Sequence, residues 1–146
     1  MISLIRRILT VLTLVAILAV GFSSPSYAAS DTEAYFAFKT FPNEPEFVIK
    51  LTDPAKIQKA RDILSGKETD EVHVLGRINK QPASYNPGWS FNYNPDTISF
   101  FTMAIEVCDS STQYLEDHLD EAGGAFLPGA FWCPWSSQLV REVKAS

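Results

Sequence analysis

Residues 46–66, EFVIKLTDPAKIQKARDILSG, change their hydrophobic period part-way along the stretch. The first six residues alternate between apolar and polar, which places Phe47, Ile49 and Leu51 on one face. Alternation of this kind predicts a β-strand with one buried face. The alternation stops after Leu51, so a second type of element begins within the same stretch.

The second half of the stretch predicts an α-helix over residues 54–65. Asp53 can cap the first turn, Pro54 suits the first helical position, and Gly66 suits the exit. An apolar stripe at helical spacing would face the core and consists of Ile57, Ala60, Ile63 and Leu64. A strand and a helix packed on one core indicate a mixed fold class.

The segments on either side add strands and one more helix. Residues 34–40 alternate and form a predicted hairpin with residues 46–51. Further strands are predicted at residues 72–78, 89–94, 97–108 and 138–143, and a second helix begins at Ser110 or Ser111, with Ser110 and Gln113 as a capping box, and ends at Gly123. The order β-β-α-β-β-β-α-β predicts a single small α+β domain with a mostly antiparallel sheet and two helices.

The N-terminus predicts export from the cytoplasm. Arg6 and Arg7 precede an apolar run over residues 8–22, and small residues precede a cleavage site after Ala28. This is the layout of a signal peptide over residues 1–28, followed by a mature domain over residues 29–146. A retained anchor is the alternative, but fifteen residues are fewer than the roughly 20 that span a bilayer. We therefore expect a secreted or periplasmic protein with no membrane span after cleavage.

The charge of the predicted mature domain argues against two classes of partner. Loss of Arg6 and Arg7 leaves ten basic residues against seventeen acidic ones, a net charge of −7. A domain of this charge repels phosphate backbones, so nucleic acid and anionic membranes are not expected partners.

The two cysteines, Cys108 and Cys133, are predicted to form a disulfide, because disulfides persist in exported proteins. Closing a loop of about 25 residues would stabilise the domain by roughly 3–3.5 kcal/mol. A redox site is the alternative interpretation of the WCPWS motif. A catalytic thiol needs a helix N-terminus, however, and the few residues after Cys133 end in a strand pattern.

A polar loop with aromatic residues is the predicted binding surface. Residues 81–90 contain Tyr85, Asn86 and Trp89, and Tyr and Trp provide contact area with little loss of entropy. Trp135 is a further candidate from the aromatic segment around Cys133. The structural alternative is that these side chains fold back onto the sheet.

No motif predicts a catalytic centre, a metal site or a cofactor site. The chain has two histidines, His73 and His118, and no His or Cys pair at zinc-ligand spacing. Neither a phosphate-binding glycine loop nor a nucleophile elbow is present in the sequence. A small secreted hydrolase would have to combine His73 or His118 with nearby carboxylates, as general acid–base catalysis requires. The acidic residues around Glu116 more simply form a solvated helix face.

Four segments together resemble the N-terminal domain of the slime-mould calmodulin-binding protein family: EFVIKLTDPAKIQKARDILSG, VHVLGRI, YNPGWSFNYNPDTISFFTMAIEVCD and YLEDHLDEAGGAFLPGAFWCPWSSQLVREV. The resemblance spans about residues 34–143 and implies no catalytic residues. It raises calmodulin as a partner, and Lys56, Lys59 and Arg61 give the first helix the basic character of a calmodulin target. That helix needs its apolar stripe for the core, and export removes the chain from cytosolic calmodulin, so we expect calmodulin not to be a partner.

These observations lead to three functional hypotheses. The first is an exported, disulfide-stabilised, non-enzymatic domain that binds protein or carbohydrate through the loop of Tyr85 and Trp89, inhibitors included. The second is the hydrolase based on His73 or His118. The third is a structural component of the cell envelope.

Overall fold

The computed structural model describes residues 32–144. The predicted signal peptide and its cleavage site lie outside the described residues. Within residues 32–144, two α-helices and nine strands follow in chain order: β1 Ala34–Lys39, β2 Phe47–Leu51, α1 Pro54–Leu64, β3 His73–Asn79, β4 Asn92–Tyr93, β5 Ser99–Phe101, α2 Thr112–Asp117, β6 Ala122–Gly123, β7 Phe126–Pro128, β8 Phe131–Trp132 and β9 Gln138–Val143. No helix among these residues is long and apolar enough to cross a membrane.

The strands form two main antiparallel sheets. The first has the order β2-β1-β9, and the second places β3 beside β4, β5 and β8. The short strands β6 and β7 pair in parallel. This arrangement confirms the predicted α+β class with a mostly antiparallel sheet and two helices.

Aromatic side chains from both sheets fill the core around Trp132. The Trp132 ring is fully buried and stacks on Tyr93 with ring centres 5.0 Å apart. Phe38 of β1 and Phe47 of β2 contact the same indole at 5.8 Å and 5.4 Å. Burying several large rings together removes much apolar surface from water, which is the main stabilising contribution in a domain of this size.

Helix α1 forms where the sequence predicts it. Asp53 Oδ1 accepts the backbone N–H of Ala55 at 2.8 Å, and Pro54 occupies the first helical position. Ile57 and Ala60 are buried against the core. Gly66 follows the C-cap with φ of +77°, a conformation that glycine adopts without steric cost.

The second helix is shorter than predicted and begins one residue later than its capping box implies. Ser111, not Ser110, caps the helix, because its hydroxyl accepts the Tyr114 N–H at 3.1 Å. The helix ends at Asp117, since His118 has left helical geometry with φ of −124° and ψ of 27°. The glycine pair that was predicted to end the helix lies beyond this point, and Gly123 belongs to β6 instead.

The predicted strand over residues 97–108 is wrong in its extent. Only Ser99–Phe101 pairs with β3, and the chain then leaves the sheet. Residues 89–91 likewise precede a strand of only two residues, β4. Strand propensity could not locate these ends, because pairing with β3 decides where each strand stops.

The predicted disulfide is confirmed. It links Cys108 and Cys133 with Cα atoms 5.1 Å apart, and the Cys133 N–H donates to the Cys108 carbonyl at 2.8 Å. A small second core surrounds the bond and contains Phe101, with Leu75, Ala104, Phe131 and Trp135 packed against it. The bond therefore ties a loop after β5, rather than a strand end, to the segment before β9.

Candidate functional site

The loop of residues 81–90 lies against the free edge of β2. Asn86 Oδ1 accepts the backbone N–H of Val48 at 2.8 Å, and Asn86 Nδ2 donates to the Phe91 carbonyl at 3.3 Å. The Trp89 indole N–H donates to the Glu46 carbonyl at 2.9 Å. These side-chain bonds satisfy edge groups of β2 that would otherwise be open to another strand.

Asn86 and Trp89 are buried, with 1% and 6% of their surface exposed. They hold the loop in place and offer almost no surface to a partner, because their polar groups already bind the backbone. Binding by this loop stays a prediction. Among its predicted contact residues, only Tyr85 remains available.

Tyr85 is half-buried and faces a cleft on the outer side of the first sheet. Its ring lies 5.3 Å from the ring of Tyr35, tilted by 53°. Burial raises the pKa of the Tyr85 phenol, so the hydroxyl stays protonated at neutral pH. Among the described residues, this hydroxyl has no hydrogen-bond partner, which leaves it free as a donor and an acceptor for a ligand.

The cleft has a volume of about 380 Å³, within the range of small-ligand sites. The strand register creates it, since Tyr35 pairs with Lys50 of β2 on one side and with Val143 of β9 on the other. Paired residues in a sheet point to the same face, so the outer face carries tyrosine and charged groups. The lining consists of Glu33, Tyr35, Val48, Ser84, Tyr85, Pro87, Arg141, Val143 and Lys144.

One end of the cleft carries a carboxylate held by two neighbours. Glu33 forms an ion pair with Lys50 at 2.5 Å and accepts the Tyr35 hydroxyl at 2.9 Å. The hydrogen bond from Lys50 is the main cause that lowers the pKa of Glu33, and the bond from Tyr35 adds to it. The Lys50 ammonium also lies 5.8 Å from the centre of the Tyr35 ring, within cation–π range.

The opposite side of the cleft carries a guanidinium with a fixed orientation. Arg141 binds the Glu46 carboxylate through Nη2 at 2.7 Å and through Nε at 3.1 Å. This pair lowers the pKa of Glu46 and raises the pKa of Arg141. A bidentate pair of this kind holds the guanidinium plane still, so its remaining N–H groups can face a ligand.

Trp135 lies in a different depression from Tyr85. It lines a groove of about 330 Å³ with His73, Phe41 and Val140. Its backbone N–H donates to Asp109 Oδ1 at 2.9 Å, and its buried indole N–H has no partner among the described residues. Tyr85 and Trp135 therefore do not form one binding surface.

The two histidines are engaged with the backbone and with aromatic rings. The Nδ1–H of His73 donates to the Ser137 carbonyl at 2.8 Å, and the Nδ1–H of His118 donates to the Tyr114 carbonyl at 2.9 Å. His118 also stacks on Tyr114 at 4.0 Å. Within residues 32–144, neither imidazole hydrogen-bonds to a carboxylate or a hydroxyl, so the pairing that a histidine base requires is not assembled there.

The acidic face of α2 has structural contacts. Glu116 accepts the backbone N–H of Ser90 at 3.0 Å and its hydroxyl at 2.5 Å, which ties α2 to the end of the 81–90 loop. Across the part of the chain that the structure describes, no group of three or more His, Cys, Asp or Glu side chains could hold a metal ion.

Sequence reasoning missed Tyr35 and Arg141 as cleft residues. Both occupy polar-side positions of alternating strands, Tyr35 opposite the buried Phe36. An aromatic ring on the solvent side of a strand was the available signal. Its proximity to Arg141 across β1 and β9 depends on the register.

One known domain family accounts for the whole of this fold. The N-terminal domain of the Dictyostelium calmodulin-binding protein matches residues 32–146, which include every described residue. The chain belongs to this calmodulin-binding protein N-terminal domain family. The match confirms the resemblance predicted from the four segments. Curated proteins and solved structures gave no match. The cleft, the disulfide and both sheets lie within the calmodulin-binding protein N-terminal domain.

Proposed function

We propose that the protein is an exported, non-enzymatic domain that binds carbohydrate in the cleft between Tyr35 and Tyr85. The observation that carries the proposal is Tyr85 itself. It is half-buried, faces the cleft, and has a protonated hydroxyl without a partner in the described part of the chain. A ring and a free hydroxyl in one position suit a sugar, which has an apolar C–H face and a rim of hydroxyl groups.

The charges around the cleft support the same class of ligand. Glu33 offers a carboxylate acceptor at one end, and Arg141 offers guanidinium donors at the other. Both are held by ion pairs, so a ligand would meet groups that are already oriented. Ser84 adds a further hydroxyl to the rim. Sugars have alternating donors and acceptors, and this set can pair with both.

Two observations support export and a binding role. The disulfide fits a compartment where thiols are oxidised, as the signal-peptide pattern predicts. The histidine contacts do not favour the hydrolase hypothesis. For calmodulin, Ile57 and Ala60 on the apolar stripe of α1 are buried in the domain's own core, which argues against recruitment of this helix as a target.

The test uses the full chain produced in a host that exports it. The purified protein is applied to a glycan array that carries neutral and uronic-acid-containing oligosaccharides, and each positive is measured by calorimetry. Tyr85→Ala is expected to weaken binding by at least about tenfold, because loss of a central aromatic anchor costs more than about 1 kcal/mol. Tyr114→Ala is the matched control, since Tyr114 is an exposed tyrosine on α2 outside the cleft.

Two results would contradict the proposal. Folded protein that binds none of the glycans would exclude carbohydrate as the ligand class. Glycan binding that Tyr85→Ala leaves unchanged would place the site elsewhere. N-terminal sequencing of the exported form tests the predicted start at Ala29 separately.

A further inference from the structure

Residues 102–107, called here the apolar loop, expose three large aliphatic side chains within five residues. Met103 is 78% exposed, Ile105 is 68% exposed and Val107 is 59% exposed. Single exposed apolar residues are ordinary on protein surfaces, but a cluster of them marks an interaction site. The cleft of Tyr85 involves none of these residues, so this surface is separate from the proposed carbohydrate site.

The apolar loop is anchored at both ends. Before it, Phe101 is buried and pairs with His73 in the β3–β5 ladder. After it, Cys108 is held by the disulfide and by the N–H bond from Cys133. In between, the Thr102 hydroxyl donates to Asp70 at 3.0 Å. A loop fixed in this way loses little conformational entropy when a partner binds it.

The middle of the apolar loop is extended and presents alternate side chains. Ile105 has φ of −79° and ψ of 143°, and residues 103–105 form neither helix nor turn. Met103 and Ile105 are exposed, whereas Ala104 between them is half-buried against the disulfide core. The loop thus has the form of an extended peptide with two apolar side chains projecting on one side.

The shape and charge of this surface select the partner. Three side chains on a convex loop cannot supply the roughly 800 Å² per side of a stable interface with a flat surface, so the partner has to be concave. The exposed acidic residues Glu106 and Asp109 flank the loop, and the predicted mature chain has a net charge of −7. Acidic flanks oppose insertion into an anionic membrane and favour a protein groove with basic edges.

We infer that the apolar loop docks into the substrate groove of an endopeptidase that has an apolar primary pocket, and inhibits that enzyme by occupying the groove. Such enzymes bind substrates as extended chains and recognise alternate side chains in separate pockets. Met103, the most exposed of the three, fills the primary pocket, and Ile105 occupies a second pocket. Protease–inhibitor interfaces of standard size are among the tightest known, and rigid loops of this type suit them.

The experiment measures inhibition of purified peptidases by the exported full chain. Chymotrypsin, elastase and subtilisin have apolar or open pockets, and trypsin, whose pocket is acidic, serves as the mismatched enzyme. We expect inhibition of at least one of the first three and none of trypsin. Met103→Asp is expected to weaken inhibition by about 30-fold or more, the loss typical of a central anchor.

Two matched variants make the result specific. Val140→Asp changes an exposed aliphatic residue outside the loop and is expected to leave inhibition unchanged. Tyr85→Ala alters only the cleft, so it separates failure of this inference from failure of the carbohydrate proposal. Absence of inhibition of all three enzymes, or rapid cleavage within residues 102–107, would overturn the inference. So would loop-dependent binding to phosphatidylcholine vesicles without any inhibition, which would identify a lipid surface as the partner.

Discussion

Removal of the disulfide is expected to lower the free energy of unfolding by an amount that the structure specifies. The bond joins residues separated by 25 positions in the sequence. In the chain-entropy treatment, a loop of this length contributes roughly 3.5 kcal/mol at room temperature. A small domain has about 5–15 kcal/mol of stability in total, so the loss is a large share.

The variant Cys108→Ala/Cys133→Ala tests this value by urea unfolding followed with tryptophan fluorescence. At about 4 °C for each kcal/mol, the melting temperature should fall by about 14 °C. Wild-type protein reduced with dithiothreitol is the control, because it keeps both buried sulfur atoms. The difference between the reduced protein and the double variant measures the packing of those atoms.

The single variants sharpen the test. Cys108→Ala and Cys133→Ala each break the same bond, so each alone should cost nearly as much as both together. Additive losses, with each single change costing half of the total, would refute the cross-link as the source of stability. A double variant that unfolds cooperatively with a loss below about 1 kcal/mol would refute the magnitude.

Three further predictions concern single side chains. Asn86→Ala should cost about 1–3 kcal/mol in a urea titration, because it leaves a buried β2 backbone N–H unpaired, and an unchanged midpoint would contradict this role. Gly76→Ala should cost about 1–3 kcal/mol by the same measurement, since its new methyl group would lie 3.0 Å from the Tyr93 ring, and a neutral effect would show that the ring moves aside freely. Glu46 should titrate below its ordinary pKa of 4.5 in carboxyl NMR spectra, so the stability from its bond to Arg141 is complete above pH 4.5 and is lost as pH falls through the lower folded value. Arg141→Gln should move that titration back towards 4.5, and an unchanged midpoint would exclude the guanidinium as the cause.

Local patterns in the sequence determined the elements whose ends carry their own signals. Helix α1 begins and ends where Asp53, Pro54 and Gly66 predict, because caps act on the nearest turn only. The alternation of β1, β2 and β9 identified strands and their buried faces for the same reason, since side-chain period needs no distant partner. The disulfide could be predicted because only two cysteines are present and export favours their pairing.

The tertiary structure alone decided which side chains meet and which remain exposed. Trp89 and Asn86 are buried because the edge of β2 offers them hydrogen-bond partners, and an edge exists only once the sheet has formed. The cleft depends on the register that sets Tyr35 beside β9, and the apolar loop on β5 ending at Phe101. Both are outcomes of long-range pairing, which a local pattern cannot encode because the free energy of a contact depends on the partner that the fold supplies.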